Sequence, residues 1–133
     1  MNALTRYRKF ENVRTILVVD HDVALRKGVA QLLRDCGYRV VEAANTNEAS
    51  TILQESSRRL DVVLSRIDIP GQMNGFGFAQ WARSIRPELK IMLAGTTART
   101  LQNVAELCEV GPLGGRYEQA LMLERIKRVL ART

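Results

Sequence analysis

The chain has 133 residues, of which 46% are hydrophobic and 26% are charged, as expected for one globular domain. It holds no run of about 18 apolar residues, and residues 1–14 have no apolar centre, which argues against a membrane span and a secretory leader. Cys36 and Cys108 are far apart and form no C-x-x-C pattern. We therefore expect small buried side chains in a reducing, cytoplasmic setting, and no metal cluster.

The formal net charge of +6 is concentrated at the two ends of the chain. Residues 1–14 carry four basic side chains against one acidic, and residues 116–133 carry five against two. We interpret 1–14 as a basic arm and 15–133 as a single folded domain. A basic arm is able to meet phosphates or an acidic protein. Because no nucleic-acid recognition motif is present, nucleic-acid binding ranks last among the functions considered.

Five short apolar runs predict five β-strands. Their apolar residues are continuous rather than alternating, which is typical of a parallel sheet covered on both faces. The predicted strands are 15–20, 38–44, 61–65, 89–95 and, more weakly, 110–115.

Helical patterns fill the intervals between these runs. Gly37 ends the first helix, Thr46 is the predicted N-cap of the second, and the third stops before Pro87. The remaining helices are predicted near 98–109 and at 118–131, and the third starts at 75.

This alternation predicts an α/β fold, a flavodoxin-like doubly wound five-stranded parallel sheet of order 2-1-3-4-5 with helices on both faces. In such a sheet the functional site lies beyond the carboxyl ends of strands 1 and 3. Those ends carry Asp20-His21-Asp22 and Ser65-Arg66.

Two long segments resemble the receiver domain of bacterial two-component response regulators. The segment ILVVDHDVALRKGVAQLLRDCGYRVVEAANTNEA is similar to that family's first strand, acidic pair, first helix and second strand. The segment DVVLSRIDIPGQMNGFGFAQWARSIRP is similar to its third strand, Pro-Gly loop and third helix. The resemblance implies transfer of a phosphoryl group from a histidine kinase to an aspartate after strand 3, beside a Mg²⁺ ion held by two acids.

At the acceptor end, the resemblance places Arg66 where the family has its phosphorylated aspartate. Asp20 matches the first acid, whereas His21 stands where the second acid, a metal ligand, is expected. Asp22 and Asp68 complete a degenerate acidic pocket. Arginine stays protonated and is a poor nucleophile, so Arg66 is not expected to accept phosphate.

The family's switch residues are also replaced. Gly95 falls where a Ser or Thr ends strand 4; Ala94 takes that position if the register differs by one, and Thr96 is one place late. Gly115 takes the position of the family's Lys, while Tyr117 retains the aromatic residue that follows. These losses imply a receiver without phosphate-driven switching.

We hypothesise that Arg66 replaces the metal cation and forms a salt bridge with Asp20 in a half-buried cleft. Cofactors are expected to be absent and Mg²⁺ binding weak or lost, with Asp20 and Asp68 the remaining metal candidates. The alternatives are an Arg66 that points to solvent, Zn²⁺ or Ni²⁺ at His21, and a hydrolase centred on Ser65, which has no suggestive partners.

The predicted function is therefore a non-enzymatic, receiver-like signalling module that acts through protein contacts. Its partner would be a histidine kinase, another regulator or an output protein, and the family's face of the fourth helix, fifth strand and fifth helix would allow a homodimer. The second hypothesis is a phosphorylatable receiver with a non-standard acceptor such as Asp68.

Overall fold

The computed structural model describes residues 13–55 and 59–111, together with Glu124, Arg125, Lys127, Arg128 and Ala131. Within this part of the chain, strands and helices alternate. They are β1 (Thr15–Val19), α1 (Val23–Asp35), β2 (Arg39–Ala43), α2 (Thr46–Gln54), β3 (Val62–Arg66), α3 (Gly75–Ile85), β4 (Lys90–Ala94) and α4 (Thr97–Glu109). The first four predicted strands and helices are confirmed, with ends that differ by one or two residues.

The strands form one parallel sheet of order β2-β1-β3-β4, which agrees with the first four positions of the predicted order. The predicted fifth strand, 110–115, is not confirmed: Val110 and Gly111 form a bend, and 112–115 lie outside the described residues. Of the predicted last helix, 118–131, the five described residues are helical. No helix among the described residues is long and apolar enough to cross a membrane.

The N-cap of helix α2 lies one residue earlier than predicted. Asn45 is the N-cap, because its extended backbone lets the side chain accept the Glu48 N–H at 2.8 Å. The Glu48 carboxylate in turn accepts the N–H of Ala44, the residue before the cap, so a second backbone donor at this helix start is satisfied. Thr46 is instead buried, and its hydroxyl donates to the Met73 carbonyl oxygen at 2.7 Å.

Two hydrophobic cores lie on opposite faces of the sheet. Because side chains alternate along a strand, Ile16 and Val18 of β1 face one core while Leu17 and Val19 face the other. Helices α1 and α4 cover the first core, and α2 and α3 cover the second, where Phe78 is fully buried. Helices therefore cover both faces of the sheet, as predicted.

The side on which α4 packs departs from the predicted topology. A right-handed crossover from β4 to a strand beyond it would place the connecting helix on the face of α3. Helix α4 instead buries Leu101, Val104 and Leu107 in the same core as α1. After β4, the described part of the chain therefore crosses to the face of the sheet opposite to α3, where α1 also lies.

Cys36 and Cys108 form a disulfide, with their Cα atoms 5.3 Å apart. The expectation that both side chains are buried is confirmed, since they are 3% and 2% exposed. The pairing was not predicted, because the two cysteines are 72 residues apart and no local pattern shows that both helices end on the same face. The cytoplasmic location inferred from the cysteines stays a prediction, and the disulfide does not support it.

Gly75 lets α3 approach the end of β3. Its N–H donates to the Ile67 carbonyl oxygen at 2.9 Å, and a Cβ added there would lie 2.4 Å from the Arg66 carbonyl oxygen. We expect Gly75→Ala to lower the free energy of unfolding by about 2 kcal/mol, since backbone rather than a flexible side chain must move.

Gly77→Ala is the matched control in the same helix. A Cβ at Gly77 would lie 3.5 Å from its nearest neighbour, so this substitution should be neutral or stabilising by up to about 1 kcal/mol. Urea unfolding of both variants measures the difference. Equal stability of Gly75→Ala and wild type would contradict the close packing.

Candidate functional site

The predicted site residues meet at the carboxyl edge of the sheet. Asp20 follows β1 directly, and the parallel register sets Val19 beside Ser65 and Arg66 beside Ala94. Gly95 follows β4 and is exposed. The predicted switch positions Gly115 and Tyr117 lie outside the described residues.

Asp20 is the buried acid of this edge, with 3% of its surface exposed. Its Oδ1 accepts the Asp22 N–H at 3.0 Å, and the Nδ1 of His21 lies 3.9 Å from the same oxygen. Burial raises the pKa of Asp20 above 3.8, because desolvation outweighs the opposing effects of the Asp22 N–H bond and the Arg66 and His21 charges.

The other acids of the predicted pocket have different surroundings. The Asp22 carboxylate caps α1 by accepting the Leu25 N–H at 3.1 Å. Asp68 is exposed in the loop after β3, and His21 is exposed as well. Within the described ranges, no three or more His, Cys, Asp or Glu side chains are grouped to hold a metal ion.

The residues present do not fit the Mg²⁺ ion that the receiver resemblance implies. The carboxylate of Asp22 is already used as a helix cap, and a guanidinium close enough to lower the pKa of Asp20 adds positive charge to the pocket. A divalent cation needs several oxygen ligands and is repelled by that charge.

Arg66 is half-buried, and its guanidinium reaches the first turn of α4. Nη1 donates to the Thr97 hydroxyl at 3.2 Å, while Nε is buried and has no hydrogen-bond partner among the described residues. Among the described residues, Arg66 and Asp20 form no ion pair, so the hypothesised salt bridge is wrong. An Arg66 that points to solvent is also not observed. Its partner Thr97 begins the helix that follows β4, the strand on which Ala94 is paired with Arg66.

Two residues of the site, Thr97 and Arg26, were not predicted from the sequence. Thr97 lies one residue beyond the positions considered for the family's Ser or Thr. Arg26 donates from Nη1 to the Asp20 carbonyl oxygen at 2.9 Å and from Nε to Glu42 at 3.1 Å. It thereby ties the end of β1 to β2. No local sequence pattern identifies Arg26, since it lies on α1 and its partner Glu42 lies on β2.

The hydroxyl of Ser65 donates to the Arg66 carbonyl oxygen at 3.0 Å, and the residue is 2% exposed. The chain contains a single histidine, His21, whose nearest acid is Asp20. The described residues therefore assemble no nucleophile–base pair around Ser65.

The raised pKa of Asp20 makes a prediction about pH. A carboxyl group whose pKa is higher in the folded state contributes full stability below its unfolded pKa and loses it as pH rises through the folded value. Asp20→Asn retains the Oδ1 acceptor and removes the buried charge. We expect it to unfold at a higher temperature than wild type at pH 7, with the difference vanishing below about pH 4.

Thermal unfolding between pH 4 and 8 measures this effect, with Asp68→Asn as the exposed control that should leave stability unchanged. A variant Asp20→Asn that is less stable than wild type at pH 7 would show that attraction to Arg66 and His21 outweighs burial.

The sequence matches the family model described as the response regulator receiver domain over residues 16–114. Among curated proteins, it is 38% identical over 77 residues to the Two-component response regulator-like APRR7 of Arabidopsis thaliana, which covers 56% of this chain and 10% of the relative. It is 33% identical over 78 residues to the Sensor kinase CckA of Brucella abortus (strain 2308), a match that covers 59% of this chain and 8% of the relative. The chain thus spans about a tenth of the length of these relatives.

Solved receiver structures resemble most of the chain. The chemotaxis response regulator CheY4 of Vibrio cholerae is 26% identical, with a TM-score of 0.58 over 89% of this chain and 99% of that one. The receiver domain of the hybrid histidine kinase CckA is 28% identical, with a TM-score of 0.56 over 87% of this chain and 98% of that one. Since the family model matches more than half of the chain, the chain belongs to the response regulator receiver domain family of two-component signalling proteins.

Proposed function

We propose that this receiver domain signals without phosphorylation at the usual position and acts through protein contacts rather than as an enzyme. The observation that carries the proposal is the position of Arg66. It ends β3 at the carboxyl edge, between Asp20 and the first turn of α4, and donates to Thr97. A guanidinium at this position offers no nucleophile to a phosphohistidine.

The Arg66–Thr97 hydrogen bond supports a switch that is set without a phosphoryl group. The resemblance to the family implies that a phosphoryl group on strand 3 attracts a Ser or Thr that follows strand 4. Here a cationic side chain from β3 already holds a hydroxyl at the start of α4. Since this link needs no added group, the connection between β4 and α4 is held in one arrangement.

In the proposed function, a partner protein binds the surface that this arrangement presents. The partner is a histidine kinase, another regulator or an output protein. The sensor kinase and hybrid kinase among the relatives support a place in a two-component network. A homodimer through the fourth helix, fifth strand and fifth helix stays a prediction. The buried residues of α4 are already used against α1, so only its outer side is available to a partner.

A second candidate function is phosphorylation of Asp68, which is exposed and two residues beyond Arg66. Its favourable feature is access for a phosphodonor. Its disadvantage is that no metal-binding group of three or more acidic, His or Cys side chains lies in the described ranges to neutralise phosphoryl charge.

Phosphotransfer distinguishes the two candidates. We expect wild type and Asp68→Ala to remain equally unlabelled after incubation with acetyl phosphate or with a phosphorylated histidine kinase. The measurement is intact mass together with base lability of any label, and a receiver with its acceptor aspartate is the positive control. Label on wild type contradicts the proposal, and its loss in Asp68→Ala would identify Asp68 as the acceptor.

The Arg66–Thr97 contact is tested by a double-mutant cycle. Arg66→Met retains the unbranched stem as far as the position of Nε and removes the guanidinium, and Thr97→Val retains the shape while removing the hydroxyl. We expect a coupling free energy of about 1 kcal/mol in urea unfolding, because a hydrogen bond from a half-buried guanidinium is lost in each single variant.

Thr96→Ala is the matched control for this cycle. Thr96 is the N-cap of α4, and its hydroxyl oxygen accepts the Arg99 N–H at 3.0 Å. Loss of this hydrogen bond should lower the free energy of unfolding by about 1 kcal/mol. The effects of Thr96→Ala and Arg66→Met on that free energy should be additive, without a coupling term. Additive behaviour of Thr97→Val with Arg66→Met would show that the contact does not hold the switch.

A further inference from the structure

Helix α4 is held at both of its ends. At the amino end, Thr97 accepts the hydrogen bond from Arg66. At the carboxyl end, Cys108 is bonded to Cys36, the C-cap of α1, and the Leu107 carbonyl oxygen accepts the Tyr38 hydroxyl at 2.5 Å. A helix of 13 residues is about 20 Å long, so one rigid element joins the disulfide to the candidate site.

The disulfide is the covalent part of this attachment. It closes a sequence separation of 72 residues and joins the last turns of two helices on the same face. The remaining contacts of α4 with α1 are apolar, from Leu101, Val104 and Leu107. Cleavage of one bond would therefore remove the covalent restraint and leave a helix held by apolar packing and by hydrogen bonds such as those of Thr97 and Leu107.

The position of Cys108 gives a route for a reductant. Both cysteines are buried, so a thiol cannot reach the bond in the intact fold. Cys108 is, however, the next-to-last residue of α4, and the helix ends in hydrogen bonds of 3.3 Å from the Val110 N–H and 3.4 Å from the Gly111 N–H. Val110 itself is 73% exposed. Terminal turns of helices open at low free energy, and opening this turn exposes the sulfur.

We infer that Cys36–Cys108 is a redox-responsive tether whose state is transmitted along α4 to the site at Arg66. The reductant is a protein or small molecule with two thiols. One of its thiolates attacks the Sγ of Cys108, forms a mixed disulfide and releases Cys36 as a thiolate that takes up a proton. The second thiol of the reductant resolves the mixed disulfide and releases Cys108.

Two electrons and two protons thereby pass to the protein, and the reductant becomes a disulfide. The oxidised form of the same class of molecule reverses the reaction. This redox input goes beyond the proposed function, and it does not depend on whether any residue is phosphorylated.

Hydrogen exchange on the full chain tests the inference. In the oxidised protein, amides of 97–111 should be protected. After dithiothreitol without denaturant, they should exchange about tenfold faster or more, whereas β1 and α3 stay protected. Oxidised dithiothreitol should restore protection. Amide resonances of 95–97 should shift with the redox state, and those of 45–46, at the start of α2, should not.

Two variants separate the tether from general loosening. Cys36→Ala/Cys108→Ala should match the reduced protein in every measurement and ignore dithiothreitol. Tyr38→Phe removes only the hydrogen bond to Leu107 and should still respond. Cysteines that stay unpaired after oxidised dithiothreitol would overturn the inference. So would identical exchange in the two redox states, or global unfolding on reduction, which would identify a purely structural disulfide.

Discussion

Parallel pairing of β1 with β3 and of β3 with β4 is the constraint on which the site depends. Backbone hydrogen bonds set this register, and they bring the carboxyl ends of three strands to one edge. Asp20, Arg66 and the first turn of α4 become neighbours only because these ends coincide. The close approach of Gly75 to the end of β3 holds the same edge from the side of α3.

The charge at this edge is fixed rather than acquired. A receiver that takes a phosphoryl group gains negative charge beside a metal cation, whereas Arg66 supplies a permanent positive charge between a buried carboxyl and a hydroxyl. The guanidinium does not neutralise Asp20 through an ion pair. Burial raises the pKa of Asp20 despite that charge, so the pocket holds an acid that binds a proton more readily than an exposed one.

Sequence reasoning succeeded where the signal was local. Apolar runs and helical spacing predicted ten elements, of which four strands and four helices are confirmed, and the positions of Asp20 and Arg66 at strand ends followed from them. It failed where a contact depended on distant residues. The Arg66–Thr97 bond joins the end of β3 to the start of α4, Arg26 on α1 bonds to Glu42 on β2, and the disulfide joins two helices whose shared face was not predicted. Hydrophobic periodicity predicts helices and strands, but it does not predict which of several neighbours a long side chain contacts.

The sequence by itself determined the family and the order of the confirmed elements, because both are matters of residue identity and short-range pattern. That Arg66 stands in the place of the acceptor stays a prediction from the resemblance. Only the tertiary structure decided that Arg66 bonds to Thr97 rather than Asp20, that α4 lies with α1, and that Cys36 meets Cys108. These outcomes follow from the packing of helices on the two faces of a sheet, where small differences between competing contacts select one partner.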